Sequence, residues 1–227
     1  MSKLMRYIVF FYLVFMGAQW LLRNKSYTIS PKEFKSIASK AHGAGSSSAA
    51  VTKLTNELRR VYGVAIDAEA TWNPLFLGNL DLKILLLHAS ITEYSGVIAA
   101  PYAESGRVGL HWTNSTCTVL SGSVSRSTDS SGFANKETFA PGANFRHGQF
   151  ESYVYSFTAD TYLACYGRGV VPTSGVWTIL SGLANGEPLA AGNLFKDYFR
   201  GVFQNTFAAV SQVFRHYKQK ATGRSDL

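Results

Sequence analysis

The chain has 227 residues, 46% of them hydrophobic and 14% aromatic, which suits one domain with a full core, or one domain plus a membrane element. Only 16% are charged and the net charge is +8, so part of the surface faces something other than water. The basic residues gather beside the two apolar ends, in LLRNKS and FRHYKQKATGR, which excludes a nucleic-acid stripe and favours an anionic membrane surface.

In chain order, Tyr7 to Leu22 form an apolar stretch opened by Lys3 and Arg6. It is short against the ~20 residues of a full span, and Leu4 and Met5 extend it. A cleaved signal peptide is the rival reading. Because the stretch ends in Gln19, Trp20 and Leu21 instead of a small-residue cleavage pattern, an uncleaved anchor over 1–24 is expected. Trp20, Arg23 and Lys25 would then sit at the interface. A short helix follows in PKEFKSIASKAHG, and GAGSSSAA serves as spacer or N-cap. The next helix is marked by Val51, Leu54, Leu58 and Val61 and stopped by Gly63. NPLFLGNLDLKILLLHASITEYSG is apolar enough to be expected as a buried helix carrying His88 and Glu93 near its end. From Val97 to Tyr166 the period changes to two. Turns such as STDSSG and PGANFRHG break the runs, the pattern of an antiparallel barrel or sandwich. Helical spacing returns after Pro172, with Trp177, Leu180 and Leu183, a break at Gly186 and Pro188, then Phe195, Phe199, Phe203, Phe207, Val210 and Phe214. The wide apolar arc of this last helix suits a membrane interface, or a packing face against the barrel.

Several stretches together resemble the family of the sigma-1 receptor and the fungal sterol C8 isomerase. NELRRVYG, LLLHASITEYSG, HWTNSTCTVLSG, FAPGANFRHG, CYGRGVVPTSG and DYFRGVF stand in that family's order, from about residue 30 to residue 205. The resemblance implies an α+β fold: a cupin-like antiparallel β-barrel with flanking helices, an N-terminal membrane anchor helix and C-terminal membrane-associated helices. It divides the chain into an anchor (1–24), a ligand domain (25–175), membrane-facing helices (176–217) and a basic tail (218–227). It also implies an endoplasmic-reticulum protein with a single N-terminal transmembrane helix, commonly a homotrimer. Its partners would be a hydrophobic small molecule and membrane lipids, with no nucleic acid, and it would use no cofactor.

The family's chemistry uses two acidic residues inside the barrel, one on the HWTNSTCTVLSG strand and one directly before YGRG. Here those positions are Cys117 and Cys165, the chain's only cysteines. Protonating an isolated alkene needs a strong acid and a nearby anion. A thiol of pKa about 8.5 supplies neither, so ordinary sterol isomerisation and tight ammonium binding are not expected. The pair can be two small hydrophobes, a disulfide, or a reactive thiolate. His111 shares strand parity with Thr113, Ser115 and Cys117, and by family register that side is the pocket. Candidate catalytic residues are therefore His111, Cys117, Cys165 and Glu93, with Glu93 placed at the pocket's edge. Candidate ligand contacts are Tyr94, Ser115, Tyr155, Phe157, Leu163, Val171, Ser174 and Tyr198. A lone inward histidine such as His111 is more often a hydrogen-bonded core residue than a catalyst, and the aromatic wall is equally readable as plain core. His88, His111 and His147 lack a carboxylate at suitable spacing, so no metal is expected. Asn24 and Asn114 begin glycosylation triplets, the second inside an expected strand.

Two functions follow. One is a cofactor-free isomerase or cyclase that folds a terpenoid, sterol-like or polyene intermediate and polarises it by hydrogen bonds. The alternative is a non-catalytic lipid- or sterol-binding receptor or scaffold. A sterol C8 isomerase with altered catalytic residues is a further alternative.

Overall fold

A computed structural model describes residues 3–24, 27–128 and 136–221. Helix α1 (Lys3–Asn24) leads to α2 (Pro31–Ala41) and α3 (Ser47–Tyr62). Local chemistry sets these ends. Pro31 opens α2 where a missing N–H costs nothing, and the Ser46 side chain accepts from the Ala49 amide at 3.2 Å to cap α3. Gly63, at φ 55°, closes α3 in a region that favours glycine.

Ten strands follow: β1 (Trp72–Leu77), β2 (Leu80–Ala89), β3 (Glu93–Ala100), β4 (Glu104–Arg107), β5 (Thr113–Ser121), β6 (Val124–Ser127), β7 (Glu137–Phe139), β8 (Asn144–His147), β9 (Val154–Phe157) and β10 (Thr161–Gly169). They form a six-stranded sheet, β1-β2-β3-β10-β5-β8, and a four-stranded sheet, β4-β9-β6-β7, both antiparallel. Among the described residues no ladder joins the two sheets, so the expected closed barrel is found as two open layers. The STDSSG turn falls partly outside the described residues. Helices α4 (Val171–Ala184) and α5 (Pro188–Ala221) complete the fold.

The helix expected over 73–96 is instead the hairpin β1–β2 and the start of β3. The large sheet is buried on both faces, which removes the polar alternation that normally marks a strand. On β2, Leu85 and Leu87 pack outward under α2 and α3, with Phe34, Leu54, Leu58 and Tyr166. Leu80, Leu82 and Ile84 pack inward against Val119, Val124, Phe157 and Leu163. A register shift between Leu86 and His88 then turns His88 to the outer side, where it is buried.

Helix α5 joins the sheet through polar bonds. Asp197 accepts from Asn73 at 2.8 Å, Arg200 pairs with Asp67 at 2.7 Å, and the Tyr198 hydroxyl donates to the Ser90 carbonyl at 3.0 Å. Its other face, with Leu189, Phe203 and Phe207, is open, as are Trp177, Leu180 and Leu183 on α4. Packing and exposure thus divide α5 between two faces. Leu4 to Met16 of α1 are exposed as well. Among the described residues, no helix is long and apolar enough to cross a membrane, and the expected single N-terminal span is not found there. The side chains of Arg23, Lys25, Val210 and Phe214, and the tail beyond residue 221, lie outside the described residues.

Candidate ligand-binding site

The inner faces of the two sheets and one side each of α4 and α5 enclose a cavity of about 380 Å³. A volume of this size falls in the range of small-molecule sites. Leu82, Ile84, Phe145, Phe157 and Leu163 form the apolar layer around it. Strand parity decides which residues reach it. On β5, Thr113, Ser115 and Cys117 line the cavity; on β10, Leu163 and Cys165 do. Tyr94, Tyr155, Val171, Ser174 and Tyr198 line it too, and His111 reaches it from the segment before β5.

Cys117 and Cys165 face each other directly across the β5–β10 ladder, Cα atoms 4.1 Å apart, and are joined as a disulfide. Both are buried. Of the three readings left open by the sequence, the structure realises the disulfide, and a reactive thiolate is not present.

Glu93 is placed elsewhere. As the first residue of β3 it points opposite to Tyr94, so the adjacent pair divides between the two faces of the sheet. Its carboxylate accepts from the Thr28 amide at 2.8 Å, the Ile29 amide at 3.4 Å and the Tyr166 hydroxyl at 3.0 Å, with His88 Nε2 at 3.7 Å. Burial alone would raise its pKa. The His88 ring and the Thr28 donors outweigh that and hold it at about 2. Arg168 donates to the Tyr166 hydroxyl and the Ile29 carbonyl, so it ties the segment before α2 to the outer face. No carboxylate lines the cavity among the described residues. Likewise, no group of three or more His, Cys, Asp or Glu there is placed to hold a metal ion.

Sequence reasoning considered His147 only as a metal ligand and missed it as a cavity residue. It lines the cavity beside His111, with ring centres 5.7 Å apart, and its Nδ1 lies 3.0 Å from the Tyr155 hydroxyl. Its parity with Phe145 on β8 was the available signal. Burial, and then the neighbouring His111, lower the His147 pKa to about 4, and burial also lowers that of His111. Glu151 opposes the shift and Arg126 adds to it.

A base whose folded pKa lies below its unfolded value of about 6.5 takes up its proton more readily when unfolded. Stability is therefore present above pH ~6.5 and is lost as pH falls towards 4. The expected loss from His147 is about 3 kcal/mol, with His111 adding to the same slope. Urea unfolding across that range should show the fall, and His147→Gln should flatten it. A flat wild-type profile would contradict a buried neutral His147.

Asn114 lies on β5 with its side-chain oxygen accepting from Arg146 at 2.7 Å and the Gln149 amide at 3.1 Å. It is engaged within the fold, and the Asn24 side chain lies outside the described residues.

A profile of the family described as "ERG2 and Sigma1 receptor like protein" matches residues 4–186. Similar curated proteins are named sigma non-opioid intracellular receptor 1. The one from Xenopus tropicalis is 30% identical over 155 residues, covering 67% of this chain and 69% of its own. The one from Gallus gallus is 28% identical over 166 residues, covering 72% and 73%. Among solved structures, KdgF from Halomonas sp. has a TM-score of 0.36 at 11% identity, covering 46% of this chain and 92% of its own. A RmlC-like cupin from Shewanella frigidimarina has 0.37 at 14%, covering 44% and 85%, and scores of this size carry no argument about fold or function. The family match spans most of the chain and the relatives agree with it, so the chain belongs to the ERG2 and Sigma1 receptor like family.

Proposed function

We propose that the chain is a non-catalytic binding protein of the receptor type, taking neutral, largely apolar ligands such as isoprenoids or sterol-like molecules into the cavity between its sheets. The observation that carries this reading is the disulfide in the cavity wall. It stands at the two positions where the family resemblance places the acid pair, and among the described residues the walls around it carry no carboxylate. A cavity without an anion offers an ammonium ligand no partner, while an apolar neutral molecule loses nothing by entering it. Tyr94, Tyr155, Phe157, Leu163, Val171 and Tyr198 would contact such a ligand.

A disulfide persists on the oxidising side of a membrane, which supports a lumenal cavity in the endoplasmic reticulum. The open apolar faces of α1, α4 and α5 would then rest on or in that membrane, where greasy ligands concentrate. Trimeric assembly and bound lipid belong to this proposal through the family resemblance.

A second reading keeps catalysis. His111 and Tyr155 stand in the apolar wall, and burial keeps the imidazole neutral and raises the phenol to about 12. They could polarise a folded polyene or terpenoid without strong acid. This supports cyclisation or a pericyclic step more than isomerisation through a carbocation, which needs the missing acid.

The test is to solubilise the protein from membranes, extract what copurifies and identify it by mass spectrometry, beside a C117D/C165E variant. A neutral polycyclic or isoprenoid compound in the wild type, absent from the variant, is the expected result. Phospholipid or detergent alone in both would overturn the reading. Conversion of the recovered compound by the purified protein, above the rate without protein, would move the assignment to the enzyme.

A further inference from the structure

Two residues along from the disulfide, one row of side chains crosses four strands of the large sheet. Tyr94 on β3, Gly167 on β10, Ser115 on β5 and His147 on β8 stand opposite one another in register. Gly167 has no side chain because its neighbours occupy that space. A Cβ there would lie 2.2 Å from the Tyr94 ring and 2.9 Å from Ser115 Oγ. The Tyr94 hydroxyl therefore reaches across β10 to Ser115 Oγ at 2.8 Å. His147 continues the row to Tyr155 on β9 of the smaller sheet at 3.0 Å. All four polar residues line the cavity.

Their protons can be counted. Tyr94 and Ser115 carry two hydroxyl protons and share one hydrogen bond, with no other acceptor for either among the described residues. One proton is left over. In the second pair, Arg126 stands directly opposite Tyr155 across the β6–β9 ladder and its positive charge acts on the phenol, which turns the Tyr155 O–H to His147 Nδ1. His147 is neutral at physiological pH, and its single ring proton then sits on Nε2. Among the described residues that nitrogen is buried without a hydrogen-bond partner. Ser115 and His147 are direct cross-strand neighbours, a separation of about 5 Å between Cβ atoms, so the two spare donors belong to one locality. Unpaired buried donors are costly, and an oxygen brought in by a ligand would satisfy them.

We propose that this row is a hydrogen-bonding site for one carbonyl oxygen on an otherwise apolar ligand, held by the spare Tyr94/Ser115 hydroxyl and the His147 Nε2–H. The proposal rests on the reading of the cavity as a site for neutral apolar molecules. A carbonyl oxygen has two lone pairs and no proton of its own to place, which matches two donors.

The test uses the full-length protein in detergent with two probes, 5α-androstan-3-one and the hydrocarbon 5α-androstane. The ketone is expected to bind about tenfold more tightly. Its carbonyl stretch in the infrared should fall below the value in hexane. The double variant Tyr94→Phe/Ser115→Ala, which removes both hydroxyls, and His147→Phe should each shrink the ketone-to-hydrocarbon affinity ratio and move the stretch back towards the hexane value, with retention of the disulfide and of a cooperative unfolding transition reporting that each variant folds. Equal binding of the two probes with an unshifted stretch would overturn the row and leave the apolar-ligand reading standing. Failure of both probes to bind would overturn both.

Discussion

Replacing both cysteines, C117A/C165A, is expected to lower the unfolding free energy by about 4 kcal/mol, a large share of the roughly 5–15 kcal/mol of an ordinary domain. The two residues are 48 apart in sequence, and the segment they close holds β6 through β9, which includes most of the smaller sheet. Tying its ends together removes conformations from the unfolded chain on the scale of that loop, which is the source of the figure. In the folded state the bond joins strands already paired from Tyr162↔Ser121 to Gly169↔Thr113, so it demands no rearrangement of the sheet. Guanidinium unfolding of the full-length protein in detergent, wild type beside the variant, measures the difference. Both sulfurs lie in a buried wall, so native protein should resist mild reductant and lose the bond readily only when unfolded. Equal midpoints for the two proteins would show that the loop is already restrained in the unfolded state, contrary to this account.

Glu93→Ala is expected to cost about 3–5 kcal/mol while leaving the cavity's affinity for apolar ligands unchanged. The carboxylate receives two backbone amides and the Tyr166 hydroxyl, and it faces His88, whose Nε2, 3.7 Å away, has no hydrogen-bond partner among the described residues. Removing it strands several buried donors at once and releases the segment before α2, which Tyr166 and Arg168 also hold through the Ile29 carbonyl. Glu93→Gln keeps the shape and one acceptor oxygen, so it should lose less. The contrary outcome, normal stability with ligand binding abolished, would place Glu93 at the site after all. Thermal unfolding and probe titration on the same preparations separate the two.

How much could be read beforehand differs by element. Val51, Leu54 and Leu58 mark α3 because one face of that helix is buried and the other wet, and Gly63 marks its end for a backbone reason. The two C-terminal helices are legible by their helical spacing, with the break at Gly186 and Pro188, although Trp177, Leu180, Leu183, Phe203 and Phe207, which mark them, stand on exposed apolar faces. Strands β1 and β2 are not legible, because Leu82, Leu85 and Leu87 meet apolar partners on both sides of the sheet and the period of two disappears. His147 was hidden among turn residues: its parity with Phe145 is a single step in a four-residue strand, too little to stand out from the turn.

By itself the sequence determined the family, the two helices before Gly63 and the two after Pro172, the absence of acid at both family positions, and that His111, Ser115 and Cys117 share one parity. Those are properties of residue identity and of local periodicity, which a chain carries whether folded or not. Only the tertiary structure decided that Cys117 meets Cys165, that Glu93 turns away from the cavity while Tyr94 enters it, and that Tyr94, Ser115 and His147 form one row. Each of these depends on the register between strands distant in sequence. A shift of a single residue would send every side chain to the opposite face, and no local pattern in the chain records that register.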